Sequence, residues 1–243
     1  MIASLPMYWD VAGAAAWTGL WRDIQDAACD FGLRLPDLTP PSALKKDWTA
    51  HWTDPELVLS QTCALPLRTS LKGRVSYVGT LDFGLPGPVG SYHSVCIGTA
   101  PAKDVKLAVN AADSQSGWAA AQDDPALGPE TRIIMTGSHA ASATAVAEGS
   151  ADIAFIDAVT WRLLQRNTPQ FADIPIRSRT QPTPGLPLIT ALSRDPAPLR
   201  AALDAVINGS PVRGSDALGG LSGFHVWPDS AYFDAPVPPP PVV

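Results

Sequence analysis

Apolar positions near the start of the chain recur at helical spacing. Trp17, Leu20, Trp21, Ile24, Ala28 and Phe31 lie three and four residues apart, which predicts an amphipathic helix with one buried face. Gly32 stands where such a helix stops. An opening strand ends near Pro6, and the proline-rich stretch 36–42 reads as loop. Short apolar runs without helical spacing predict strands at 56–60, 74–79, 92–97, 105–109, 132–135, 153–156 and 186–192. Three Gly and two Pro between Gly84 and Gly90 predict a loop.

The middle of the chain repeats one pattern. Strand 105–109 leads through Asn110–Gly117 to a short helix beginning near Trp118. Strand 132–135 leads through Thr136-Gly-Ser-His139 to an Ala-rich helix that reaches Glu148, with Gly149 as its stop. Strand 153–156 leads through Asp157 to a helix running to Leu164. Strands alternating with helices point to an α/β fold with a mostly parallel sheet. A further helix is expected at 198–207, and the proline-rich tail 236–243 is expected to be extended and mobile.

Composition narrows the classes of function. The chain has 243 residues, 46% hydrophobic and 16% charged, which suits one large domain or two ordinary lobes with packed cores. The net charge of −6 and the lack of a Lys/Arg block argue against nucleic acid and anionic membrane as partners. Cys29, Cys63 and Cys96 are too few for a disulfide framework and are expected as thiols, although one bridge stays open. No stretch approaches the roughly 20 apolar residues that span a bilayer. Met1–Tyr8 has neither the basic nor the apolar part of a signal peptide. The expectation is a cytoplasmic protein, export by another route, or a leader outside this sequence.

Candidate chemistry gathers where strands meet helices. In a parallel α/β sheet, ligands collect beyond the carboxyl ends of the strands, where helix N-termini offer free N–H groups. Asp113-Ser-Gln-Ser-Gly117 and Thr136-Gly-Ser-His139 both fall there. Ser114, Ser116 and Ser138 add hydroxyls, Gln115 an amide, and Gly117 and Gly137 let the backbone approach a ligand. Such a nest suits a tetrahedral oxyanion; plain N-capping is the other reading. His139 is either an anion donor or a residue packed at a helix end. Asp157 is either an N-cap or a cleft carboxylate meeting a positive or protonated part of a ligand. Tyr8, Gln61 and Thr62 follow earlier strands in the same way, and Trp9 and Trp118 are placed to wall a cleft.

Catalytic motifs fail. There is no GxSxG elbow, no HxxxH among the four His, no phosphate-binding GxxxxGK[ST] loop and no GxGxxG after a strand. A Ser116–His139–Asp157 triad can be written, but nothing local supports it. No cofactor, metal or enzyme activity is expected.

Ser114-Gln-Ser-Gly117, then Gly137-Ser-His139 opening a helix, then Ala145-Val-Ala-Glu-Gly149-Ser-Ala-Asp152-Ile-Ala154 resemble the phosphonate-binding components of ABC importers. That family carries a Ser-Thr-Ser-Gly loop, a Ser-His helix start and an AVxxGxxDxA stretch. Leu57–Pro66 and Tyr92–Ser94 resemble the phosphate/phosphite/phosphonate subgroup, and the resemblance covers residues 1–192. It implies the type II periplasmic-binding-protein fold: two α/β lobes joined by two crossing strands, with ligand trapped in the cleft by hinge closure. Lobe one would be 1–93 plus 190–243, lobe two 99–186, and the crossings 94–98 and 187–189.

The resemblance places Ser114, Ser116 and His139 where the family holds phosphonyl oxygens. Gln115 replaces the family's Thr and removes one hydroxyl. Asp157 matches an acidic cleft residue. The implied partners are a small oxyanion and an ABC permease, in the periplasm. Three rivals stand beside this reading: a binder of a sulfonate or pyrimidine precursor, a cytoplasmic enzyme on the same fold, and a sensor subunit.

Overall fold

The computed structural model describes residues 1–9, 13–101, 103–209 and 216–242. The chain divides into two units: Met1–Ser91 with Pro184–Ala235, and Tyr92–Thr183 with the segment from Pro236 onward. In chain order, the first unit opens with β1 (Ile2–Ser4), α1 (Ala14–Asp30), α2 (Trp48–Trp52), β2 (Leu57–Gln61), α3 (Ala64–Arg68) and β3 (Val75–Asp82). A short strand β4 (Ser91–Tyr92) leads out of it. The second unit holds β5 (Ser94–Gly98), β6 (Lys106–Val109), β7 (Arg132–Met135), α4 (His139–Ala147), β8 (Ile153–Asp157), α5 (Ala158–Asn167) and β9 (Ile176–Arg179). The chain returns through β10 (Thr183–Pro184) to β11 (Pro187–Ala191), α6 (Ala197–Ile207), β12 (Gly223–His225) and α7 (Ser230–Phe233).

The first unit is built on a sheet of order β1-β2-β11-β3-β12. β1 and β2 run parallel, while β11 runs antiparallel to β2 and β3. β2 and β11 are buried along their whole length, as their continuous apolar runs require. On α1, Trp17, Leu20, Trp21, Ile24 and Ala28 are buried, the face expected from their spacing. The C-terminal part is pinned by a directed chain of hydrogen bonds. The Trp227 N–H donates to Tyr77 Oη (3.2 Å), which meets Thr80 Oγ1 at 2.9 Å. Thr80 Oγ1 lies 2.6 Å from Tyr232 Oη, which donates to the Gly185 carbonyl at 2.8 Å. With that last donation fixed, every hydroxyl in the chain gives one bond and accepts one, so α7 is held on the sheet.

The second unit has sheet order β7-β6-β8-β5-β9. β6 is parallel to both β7 and β8, and β5 is antiparallel to β8 and β9. Cys96, Val105, Leu107, Val109, Ala121, Ile153 and Phe155 form a buried cluster, with Trp118 packed against it. Each fully buried Leu or Ile contributes about 1.5–3 kcal/mol. Arg177 Nη1 and Asp124 Oδ2, 2.6 Å apart, tie edge strand β9 to the loop before β7. The three cysteines are free thiols.

Several expectations are corrected. Residues 94–98 are not a crossing but β5, paired on both sides within the second unit's sheet. Residues 187–189 lie in β11, between two partners in the first unit's sheet. The units instead meet along the chain at 91/92 and 183/184, beside the two-stranded β4–β10 ladder. A buried central strand and a crossing strand are both short apolar runs, so sequence does not separate them. The helix expected from Trp118 is a single 3-10 turn, Ala119–Ala121. The tail groups with the second unit and is anchored there, since Trp118 Nε1 donates to the Pro239 carbonyl at 2.7 Å. α2, α3, β9, β10, β12 and α7 were not anticipated.

At Gly98, the end of β5, the backbone has φ +93° and a Cβ would collide with the Asp152 carbonyl. Gly98→Ala adds left-handed strain to an overpacked contact, and should destabilise the protein by at least ~2 kcal/mol. Urea denaturation followed by circular dichroism would show it. An unchanged midpoint would mean that the strand end relaxes freely.

Candidate functional site

Because β6, β7 and β8 run parallel, the segments leaving them emerge at one edge of the second unit's sheet. These are Asn110–Gly117, Thr136–Ser138 and Asp157. The first is a tightly wound turn. Ser114 N–H donates to the Ala111 carbonyl (3.1 Å), and the Trp118 and Ala119 amides both donate to the Ser114 carbonyl at 3.1 and 3.0 Å. Gly117 N–H donates to Ser114 Oγ at 2.9 Å. Ser114, Gln115, Ser116 and Gly117 are all buried. A Cβ at Gly117 would meet Asn110 Oδ1, so any larger residue there would require the Asn110 side chain to shift.

The second segment is tied to the first strand. Thr136 N–H and Oγ1–H reach the Val109 carbonyl (2.9 and 3.2 Å), and Thr136 Oγ1 lies 2.6 Å from Ser142 Oγ. Ser138 N-caps α4, its Oγ accepting from Ala141 N–H at 3.1 Å. The two turns meet directly: Ser116 Oγ lies 2.7 Å from His139 Nε2. The Ser116, Gly137 and Ser138 amides have no hydrogen-bond acceptor among the described residues. Those of His139 and Ala140, in the first turn of α4, precede its first intrahelical bond. Together they leave backbone donors on both turns without a protein acceptor. No Lys or Arg occurs in 110–117 or 136–139, so any charge attraction there comes from N–H dipoles.

His139 is half-buried, but its Nδ1 is sealed from solvent and has no partner. Burial pushes the imidazole down from 6.5 to about 4, so it is neutral at pH 7. Asn110 Oδ1 is likewise buried without a partner. Asp157 is buried and N-caps α5, with Oδ1 accepting from Thr160 N–H at 2.7 Å. Each cap uses one side-chain oxygen as an acceptor, which leaves the Ser138 hydroxyl proton available as a donor. No cluster of three or more His, Cys, Asp or Glu that could hold a metal occurs among the described residues.

The first unit has its own strand ends at one edge, those of parallel β1 and β2. Tyr8 is buried, with its ring edge-on to Phe83 at a 5.0 Å centroid distance. Gln61 and Thr62 are fully buried. Their backbones are used: the Gln61 carbonyl accepts from Trp52 Nε1 (3.0 Å), and Thr62 N–H donates to the Pro187 carbonyl (2.9 Å). Their side chains are not. Gln61 Nε2, Gln61 Oε1 and Thr62 Oγ1 have no partner. Sequence reading missed the neighbouring cluster of buried Ser4, His51 and Ser60, with Ser4 Oγ 3.1 Å from His51 Nε2 and 2.9 Å from Ser60 Oγ. Nothing in the spacing of those three residues signals it. Burial lowers the His51 pKa, with Asp54 opposing and Lys45 assisting more weakly.

The His139 shift makes a prediction. The unfolded chain binds this proton near 6.5 and the folded chain near 4. Stability from His139 is therefore complete above pH 6.5 and is lost as pH falls through 4, by up to about 1.4 kcal/mol per pH unit. His139→Gln should flatten the stability–pH curve in that window, measured by urea denaturation from pH 7.5 to 4. A slope identical to that of the unsubstituted chain would place His139 in water instead.

No family model matches the chain, and no curated protein matches it by sequence. Solved structures do match in fold. PhnD1 from Prochlorococcus marinus, in complex with methylphosphonate, superimposes with a TM-score of 0.68 at 11% identity, covering 96% of this chain and 94% of that one. XAC2383 from Xanthomonas citri, bound to chloride ion, gives 0.67 at 16% identity, covering 95% and 93%. The arginine-, lysine-, histidine-binding protein ArtJ from Geobacillus stearothermophilus gives 0.53 at 12% identity, covering 86% and 90%. With two α/β units, each topped by strand-end loops, this chain has the type II periplasmic-binding-protein fold.

Proposed function

We propose that this chain is the solute-binding component of an ABC importer, that it holds a phosphate-, phosphite- or phosphonate-type oxyanion, and that it is not an enzyme. The observation that carries the reading is the Ser116–His139 contact at 2.7 Å, which joins two donor-rich turns lying 23 residues apart. Around it the amides of Ser116, Gly137 and Ser138 and the Ser138 hydroxyl have no protein acceptor, and the sealed His139 Nδ1 has no partner. Hydrogen bonds to a charged group contribute roughly 1.5–3 kcal/mol each. Four or five of them support micromolar binding after ordering costs.

Gln61 and Thr62 extend the proposal to the first unit. Three buried polar atoms without partners are costly, at about 1–3 kcal/mol each. In the proposed role they and Tyr8 meet the ligand on hinge closure. The enzyme reading is weakened by His139 Nδ1: in a Ser–His–Asp triad that atom faces the carboxylate, and here it has no partner. Asp157, buried at the same edge, favours a ligand with a cationic or protonated arm. A permease partner and a periplasmic location belong to the same proposal. No helix among the described residues is long and apolar enough to cross a membrane.

Calorimetry with phosphate, phosphite, methylphosphonate and 2-aminoethylphosphonate tests this, with an alkylsulfonate and arginine as contrasts. At least one phosphorus oxyanion should bind at micromolar concentration or tighter. His139→Ala, Ser116→Ala and Gln61→Ala should each weaken it at least tenfold, about 1.4 kcal/mol. Binding of arginine or the sulfonate alone would replace the proposed ligand class.

A further inference from the structure

Residues 236–242 read Pro-Val-Pro-Pro-Pro-Pro-Val. They group with the second unit, although α7 just before them belongs to the first. Prolines fix φ near −65°, and a run of them favours the polyproline II helix, with about three residues per turn and no internal hydrogen bonds. Its carbonyls are left open to outside donors. Burial along the segment follows that period: Pro238 and Pro241 are half-buried, while Val237, Pro239, Pro240 and Val242 are exposed. One side of the segment is therefore seated. The Trp118 indole supplies a donor to it, with Nε1 2.7 Å from the Pro239 carbonyl. Aromatic-lined grooves hold polyproline segments in this way, since an indole joins an apolar face to a single N–H.

Trp118 is also the residue after the Ser114–Gly117 turn. Its amide donates to the Ser114 carbonyl at 3.1 Å, and its ring packs on the buried cluster that includes Leu107 and Phe155. One residue is thus held by turn, core and tail. The turn is closed by its own hydrogen bonds but has no long helix behind it. The segments after β7 and β8 open helices of nine and ten residues. The segment after β6 opens only the three-residue 3-10 turn Ala119–Ala121, too short to fix the turn before it.

We propose that the proline-rich C-terminal segment is a strap that positions the Ser114–Gly117 turn by seating on Trp118, in place of the helix this turn lacks. The strap orders the backbone that presents Ser116 to His139. Its effect on affinity rests on the oxyanion reading above; its effect on the turn does not.

The test reads the turn and the ligand separately. In a proton–nitrogen correlation spectrum of the full chain, Trp118→Phe identifies the Trp118 indole signal among those of the eight tryptophans. Full-length Pro238→Ser with Pro241→Ser should move that signal toward the position of a water-exposed indole. It should also speed amide hydrogen exchange across residues 114–121 at least tenfold, with exchange in β6 and β8 unchanged. A chain ending at Ala235 should behave likewise, and adding the peptide Ala-Pro-Val-Pro-Pro-Pro-Pro-Val-Val should reverse both changes.

Methylphosphonate affinity should fall severalfold in the strap variants. A turn that loosens in a chain that binds no oxyanion would support the strap and remove the ligand reading. An indole signal and exchange rates that stay put in both strap variants would overturn the strap, whatever the ligand does. Loss of exchange protection throughout the unit would also overturn it, since the segment would then be part of the core.

Discussion

The parallel pairing of β6 with β7 and β8 is the constraint from which the rest of the second unit follows. It sends three chain segments out at one edge of the sheet. Were β7 reversed, its following turn would lie about 13 Å away, the length of a four-residue strand. Ser116 and His139 then could not touch. As it is, the register Val109↔Met135 sets the two turns level. Thr136 locks that level by bonding back to the Val109 carbonyl with both its amide and its hydroxyl. The 2.7 Å contact between Ser116 and His139 is the outcome of strand direction and register together.

Much of this was legible in the sequence, because strand–turn–helix repetition is a local signal. The runs at 105–109, 132–135 and 153–156 became β6, β7 and β8 almost residue for residue. The amphipathic spacing of Trp17 to Ala28 became the buried face of α1. What failed was non-local. β9 alternates Ile176-Arg-Ser-Arg179, too polar to announce itself, and is a strand because β5 offers it an edge. The crossings were misplaced for the same reason: whether an apolar run is central or connecting depends on which strands flank it. The tail's prolines announced an extended segment, but its partner Trp118 lies 121 residues earlier. Ser138 and Asp157 read in sequence as either cap or ligand residue; both do cap helices, a role that a short local pattern signals.

Polar atoms left without partners are informative because they are expensive. A protein of ordinary size is stable by only about 5–15 kcal/mol. Gln61 alone seals both a donor and an acceptor away from water, and Thr62, Asn110 and His139 each add another such atom. These residues lie at or just beyond the carboxyl ends of the parallel strands β2, β6 and β7. Trp161 Nε1 and Arg194 Nε are also buried without partners, so such atoms are not confined to the strand ends.

The electrostatics of the second unit's turns favour shape over charge. Arg or Lys would draw anions from a distance and hold many kinds. Here the chain is net acidic, the turns carry no cation, and His139 is neutral near pH 7. What they offer is a set of short-range dipoles whose directions the backbone fixes. Such a set stabilises an acceptor only when its oxygens fall where the N–H and O–H groups point. Precision of the backbone then becomes the source of selectivity. This is why a turn followed only by a single 3-10 turn would draw on an external anchor.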